Sequence, residues 1–142
     1  MGSTKEVAEQ LGQVSLFSGL SKRELSAVAR ETKEVSHPAG KVLAREGDRG
    51  IGFFLITEGR AKVSVNGRSR ASLGPGDFFG EISLLDQGPR SATVTAETDV
   101  RMLGLTAWAF QGLLKQYPSI AMKMLEVVAA RLRATSRDLT TH

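Results

Sequence analysis

The spacing of apolar residues changes period twice along the chain, from helical to alternating and back to helical. Up to about Glu31 it is helical. Ser3 and Glu6 form a capping box, Val7 and Leu11 share one face, and Gly12 marks a stop. Ser21-Lys22-Arg23-Glu24 opens a second helix more firmly. Ser21 caps, Glu24 reaches back, Leu20 staples to Leu25, and the helix continues through Val28. Between the two, Val14 to Leu20 is apolar enough to dock rather than flap.

From Thr32 to Thr106 the pattern predicts short strands broken by turn residues. Strands at Lys33–His37 and 41–45 flank Pro38-Ala39-Gly40, and 51–57 is nearly all apolar, as expected of a buried strand. Ala61–Val65 alternates, Asn66-Gly67 is the strongest hairpin signal in the chain, and Arg68–Leu73 returns. Gly74-Pro75-Gly76-Asp77 makes a further turn, and 91–97 and 100–105 complete the set. Many short strands at regular spacing read as a sandwich, barrel or jelly roll.

After Thr106 the helical period returns. Thr106 caps Ala107–Gln116, whose apolar residues are Trp108, Phe110, Leu113 and Leu114, and Tyr117-Pro118 breaks the chain. The last helix, 119–137, carries two apolar stripes: Ala121, Leu125, Val128, Leu132 and Thr135, and then Ile120, Met124 and Val127. A plain core helix needs one stripe, so one is expected to pack on the roll or the preceding helix and the other to cap a ligand, pair with another copy, or both.

Composition narrows the picture. At 142 residues the chain is one domain's worth, with enough length for a core. Lys and Arg total 19 against 15 Asp and Glu, a net +4. Part of the surplus is Arg131, Arg133 and Arg137, which suit the C-terminal end of a helix. Nucleic-acid-binding faces concentrate basic residues far more strongly, so direct DNA binding is not expected. Cysteine is absent, so there is no disulfide framework or thiolate site. The only histidines are His37 and His142, too few for a cupin-type metal site or a Ser-His-Asp set, so no enzyme, metal or cofactor is expected. No apolar run is long enough to span a membrane, and no signal peptide is evident. Met1-Gly2 lacks the Ser or Thr at position 6 that myristoylation needs, and the chain reads as cytoplasmic.

One stretch, from Asp77 to Val94, fits neither a plain strand nor a plain helix. It predicts a strand that breaks at Gly80, a turn or two of helix, a tight turn at Asp86-Gln87-Gly88-Pro89, and a strand again. A helix start leaves backbone N–H groups that suit an anion. Arg90 can present a planar fork to two phosphate oxygens. Glu81 accepts hydrogen bonds when ionised, which suits a sugar hydroxyl beside the glycine that lets a ligand approach. A small, singly charged sugar phosphate satisfies all three. An ordinary ion pair between Glu81 and Arg90, bracketing a loop, is the plainer alternative.

At Phe79-Gly80-Glu81-Ile82-Ser83-Leu84-Leu85 and Pro89-Arg90-Ser91-Ala92-Thr93-Val94 the chain resembles the cyclic-nucleotide-binding domain family. The members it resembles are catabolite-activator-type regulators and the regulatory subunits of cAMP-dependent kinases. The resemblance implies a mainly β fold with flanking helices: an eight-stranded, jelly-roll-like β-roll with N-terminal helices and two C-terminal helices. Residues 1–31 would be the N-terminal helical layer, 32–106 the roll with its phosphate-binding cassette at 79–94, and 107–142 the C-terminal helices of one domain. Gly47, Gly59 and Gly76 fall where the family places turn glycines.

By that resemblance Glu81 would bind the ribose 2′-hydroxyl and Arg90 the cyclic phosphate. The N–H groups of Ile82, Ser83 and Ala92 would add phosphate contacts, with Phe79, Gly80 and Ser91 completing the cassette. Val63 and Leu73 are candidates to line the base, with plain core roles as the alternative. A small residue after the arginine favours cAMP in the family and threonine favours cGMP, so Ser91 points to cAMP with cGMP in second place. Family transcription regulators carry a helix-turn-helix domain after the long helix, and this chain ends at His142. The expectation is therefore a sensor or regulatory module without its own output domain: a stand-alone sensor, a regulatory subunit, or a piece of something larger. Its ligand would tighten the cassette, draw in the Trp108 helix and reposition the C-terminal helices. Its expected partners are the cyclic nucleotide, a second copy through the last helix, and an effector protein. A degenerate roll serving as an interaction scaffold is the alternative, against which stand the intact Gly80, Glu81 and Arg90.

Overall fold

In a computed structural model, which describes residues 3–50, 52–80, 83–86 and 88–140, the chain begins with α1 (Thr4–Leu11), a single 3-10 turn (Ser15–Phe17) and α2 (Lys22–Glu31). Eight strands follow: β1 (Lys33–His37), β2 (Val42–Ala44), β3 (Gly52–Glu58), β4 (Ala61–Val65), β5 (Arg68–Leu73), β6 (Phe78–Phe79), β7 (Thr93–Ala96) and β8 (Val100–Thr106). The short α3 (Ser83–Asp86) lies between β6 and β7, and α4 (Ala107–Gln116) and α5 (Pro118–Thr140) close the chain. Contacts divide the chain into two units, residues 31–111 and residues 1–30 with 112–142. Among the described residues no helix is long and apolar enough to cross a membrane.

The first unit is an antiparallel roll of two four-stranded sheets, ordered β1-β8-β3-β6 and β2-β7-β4-β5. The β4–β5 hairpin forms at the predicted boundaries. Asn66 (φ 53°) and Gly67 (φ 78°) sit at its tip, and Val65 pairs with Arg68, which is the two-residue turn that an Asn-Gly pair favours. Gly47, Gly59 and Gly76 all take positive φ at turns, as expected. Two strands are shorter than predicted. The 41–45 strand contracts to Val42–Ala44, where its register with β7 shifts, and 91–97 contracts to Thr93–Ala96. Between the sheets, Ile56, Val100 and Met102 of one meet Ala44, Ala61, Val94 and Ala96 of the other. Small residues on one side and large ones on the other let the layers close.

The second unit is helical. Ser3 Oγ accepts the Glu6 N–H (3.2 Å), and α1 stops before Gly12. The second capping box forms in full: Ser21 N–H donates to Glu24 Oε1 (2.8 Å), and Glu24 N–H donates to Ser21 Oγ (3.2 Å). Pro118 rather than Ser119 opens α5, a position where its missing N–H is no loss. The two stripes of α5 separate as the pattern predicts. Ile120 and Met124 are buried, while Leu125 and Leu132 remain 60% and 65% exposed.

Candidate functional site

The cassette begins where β6 pairs with β3. Phe79 opposes Phe54 with ring centroids 5.4 Å apart, and Phe78 opposes Leu55 and lies 5.9 Å from Phe53. These aromatic contacts anchor the strand up to Gly80, where φ turns to +84°. A Cβ at Gly80 would fall 2.3 Å from the Gly52 carbonyl oxygen and 2.4 Å from Arg90 Nη1, so only glycine fits. Beyond it, α3 begins at Ser83; Leu84 is buried and Leu85 is exposed. Glu81 and Ile82, both assigned roles from sequence, lie outside the described residues, as does the Ser83 side chain.

Arg90 is fixed from its main chain outward. Its N–H donates to Asp48 O (2.7 Å), its carbonyl accepts from Gly47 N–H (2.8 Å), and Gly50 N–H donates to Gly88 O (2.9 Å). The turn 88–90 is thus pinned along the loop before β3. The guanidinium is half-buried, and Nη2 donates to the Gly52 carbonyl (3.1 Å). Burial pushes its pKa below the usual arginine value. Among the described side chains no carboxylate lies within ion-pairing distance of it. A half-buried cation with one neutral partner raises the local potential and favours an anion.

The remaining candidates are placed as follows. Ser91 is exposed and Ala92 half-buried on the approach to β7. Thr93 Oγ1 accepts the Glu46 N–H (3.0 Å), and the Glu46 carboxylate accepts the Asn66 N–H (2.9 Å), which ties the cassette's exit to the hairpin tip. Val63 and Leu73 are half-buried and pack against the roll's interior cluster. Lys62 and Arg70 are exposed. Sequence reasoning missed Gly52, although a signal was present: a glycine inside an apolar strand marks a close backbone approach.

The opposite end of β3 carries a surface concavity lined by Ser36, His37, Glu58, Asp99 and Arg101. There Arg101 pairs with Glu58 at 3.7 Å, both well exposed, and among the described residues no group of side chains could hold a metal ion. The two ends of the roll therefore differ in kind: one charge is already paired and solvated, the other half-buried with a neutral partner.

Comparison with known proteins agrees with the fold. Residues 34–117 match the family model described as the cyclic nucleotide-binding domain. The chain is 31% identical over 136 residues to a CRP-like cAMP-activated global transcriptional regulator of Mycobacterium tuberculosis, covering 92% of this chain and 61% of that protein. It is 38% identical over 106 residues to a cAMP-dependent protein kinase regulatory subunit of Aspergillus niger, covering 73% of this chain and 26% of the relative. The chain thus spans less than two thirds of either relative's length. Among solved structures, the N-terminal domain of a transcriptional regulator from Streptomyces coelicolor A3(2) superposes with a TM-score of 0.85 at 34% identity, covering 93% of this chain and 96% of that one. The match over residues 34–117 and the roll shared with that solved structure place the chain in the cyclic nucleotide-binding domain family.

Proposed function

We propose that this domain is a cyclic-nucleotide sensor whose ligand is cAMP, with cGMP the weaker alternative. One observation carries the reading: the half-buried Arg90 guanidinium has a single neutral partner, Gly52 O, among the described residues. A cyclic phosphate supplies the missing negative charge and two oxygens for the planar fork. Glu81 takes the ribose 2′-hydroxyl, and the N–H groups of Ile82, Ser83 and Ala92 add to the phosphate cradle. Val63 and Leu73, already turned toward the roll's interior, contact the base. Ser91, small and exposed, leaves room at the position where a threonine favours cGMP. Relatives named for cAMP support that choice of ligand.

The domain regulates rather than catalyses, and its output is a movement of the C-terminal helices. Such a movement requires the nucleotide to bind one helix position more tightly than the other. The open stripe of α5, with Leu125 60% and Leu132 65% exposed, supports pairing with a second copy. Calorimetric titration of the nucleotide-free protein with cAMP and with cGMP is the direct test. Saturable binding with cAMP the tighter ligand is expected. A folded protein that gives no heat with either nucleotide would leave the interaction-scaffold reading in its place.

A further inference from the structure

We propose that Gly52 is the positioning residue for Arg90, holding the guanidinium for its ligand by a main-chain carbonyl in place of a carboxylate; the inference rests on the sensor reading above. Gly52 O accepts from Arg90 Nη2 at 3.1 Å. The same oxygen lies 2.3 Å from where a Gly80 Cβ would stand, so the carbonyl, the guanidinium and Gly80 share one tightly filled corner. The chemistry of the acceptor matters. A carboxylate at this place would orient the arginine and also cancel its charge, in competition with an incoming phosphate. A carbonyl orients one N–H and leaves the full positive charge, with the remaining N–H donors, for the ligand.

The absence of a side chain at position 52 is part of the device. Gly52 is buried at the end of β3, paired with Thr106 of β8. A Cβ there would meet the Leu105 carbonyl oxygen at 3.0 Å and the Thr106 Cα at 3.6 Å. An alanine would press on the β8 backbone, and the shift of a few tenths of an ångström needed to relieve it would move the carbonyl off its line to Arg90. Neither the neighbouring Phe53 nor Phe54 has this property, since strand position 52 alone presents its carbonyl to the arginine among the described contacts.

A double-mutant cycle tests the idea, with cAMP titrated into wild type, G52A, R90A and the double variant, the last two at millimolar nucleotide. Loss of one hydrogen bond to a charged group predicts affinity about tenfold weaker in G52A. In the R90A background the same substitution should change nothing, because the group it positions is gone. An equal, fully additive loss in both backgrounds overturns the proposal and makes Gly52 a strand residue only. A ligand-free measurement keeps the test independent of G52A folding and of nucleotide binding. The guanidinium nitrogen NMR signals of Arg90, identified by their absence in R90A, should show slowed rotation relative to exposed Arg68 and Arg70. Free rotation in the wild type overturns the positioning role. Slowed rotation without any cAMP binding would retain it and refute the sensor reading alone.

Discussion

Glu24 in the helical unit and Arg90 in the roll are both withdrawn from bulk water, and their surroundings treat them in opposite ways. Glu24, 6% exposed, has its oxygens taken up: Oε1 accepts from Ser21 N–H (2.8 Å) and Lys123 Nζ (2.6 Å), and Oε2 accepts from Ser119 Oγ (2.5 Å). Burial on its own would raise the carboxyl's pKa, but the bonds from Lys123, Ser119 and Ser21 together outweigh it and hold the value at about 2. Arg90 has a neutral carbonyl and no carboxylate among the described side chains, and burial lowers its pKa. A charge whose partners are all internal ties elements together. A charge left electrostatically short is a place for something from outside.

The sharpest way to break this contrast is to remove each charge and read both stability and binding. Arg90→Ala should weaken cAMP binding by about 2–5 kcal/mol, roughly thirty-fold to several thousand-fold, while urea unfolding stays close to wild type. A large loss of stability in that variant would make Arg90 structural and erase the difference. Glu24→Gln should do the reverse. It keeps the shape, removes the charge from a hydrogen-bonded cluster, and should cost about 2–3 kcal/mol in urea unfolding with nucleotide affinity nearly unchanged.

Acid sharpens the same point through Glu24 alone. Its folded pKa, about 2, lies below the free value of 4.5, so the folded state binds the proton less readily. Its stabilising contribution is complete above about pH 4.5 and is lost as pH falls toward 2. Between those limits the stability gap between wild type and Glu24→Gln should shrink, as followed by urea melts at stepped pH. A constant gap would show that the hydrogen-bond geometry, not the charge, holds the cluster. The smallest effect is expected of Lys123→Met. Its side chain is 37% exposed, and solvent screens its pairing with Glu24, so about 1 kcal/mol or less should be lost.

Much of the fold could be read from the chain because the relevant interactions are local. The Ser21–Glu24 capping box spans three residues, and both of its arms form. The Asn66-Gly67 turn sets the β4–β5 pairs next to it, Val65 with Arg68 and Ser64 with Ser69, before the register shifts at Val63, and Thr106 caps α4 by accepting the Ala109 N–H (3.2 Å). The two stripes of α5 follow from helical spacing alone. The same reading marked Gly80 and Arg90 as site candidates, on a glycine that breaks the strand, a planar fork suited to a phosphate, and resemblance to the family's phosphate-binding cassette. It assigned Glu24 only a capping role, since nothing at that position signals partners 95 and 99 residues away.

By itself, then, the sequence determined the kinds of element, most of their boundaries, and the chemical vocabulary of the cassette. Propensity, capping and alternation act over a few residues, and no closure of the chain is needed to express them. Tertiary structure decided the sheet orders β1-β8-β3-β6 and β2-β7-β4-β5, the full partnering of Glu24, and the carbonyl of Gly52 as the partner of Arg90 across 38 residues. Those outcomes depend on which distant segments are brought into register when the roll and the helices close. Once closed, a buried charge is either satisfied by what it meets or left to meet something else.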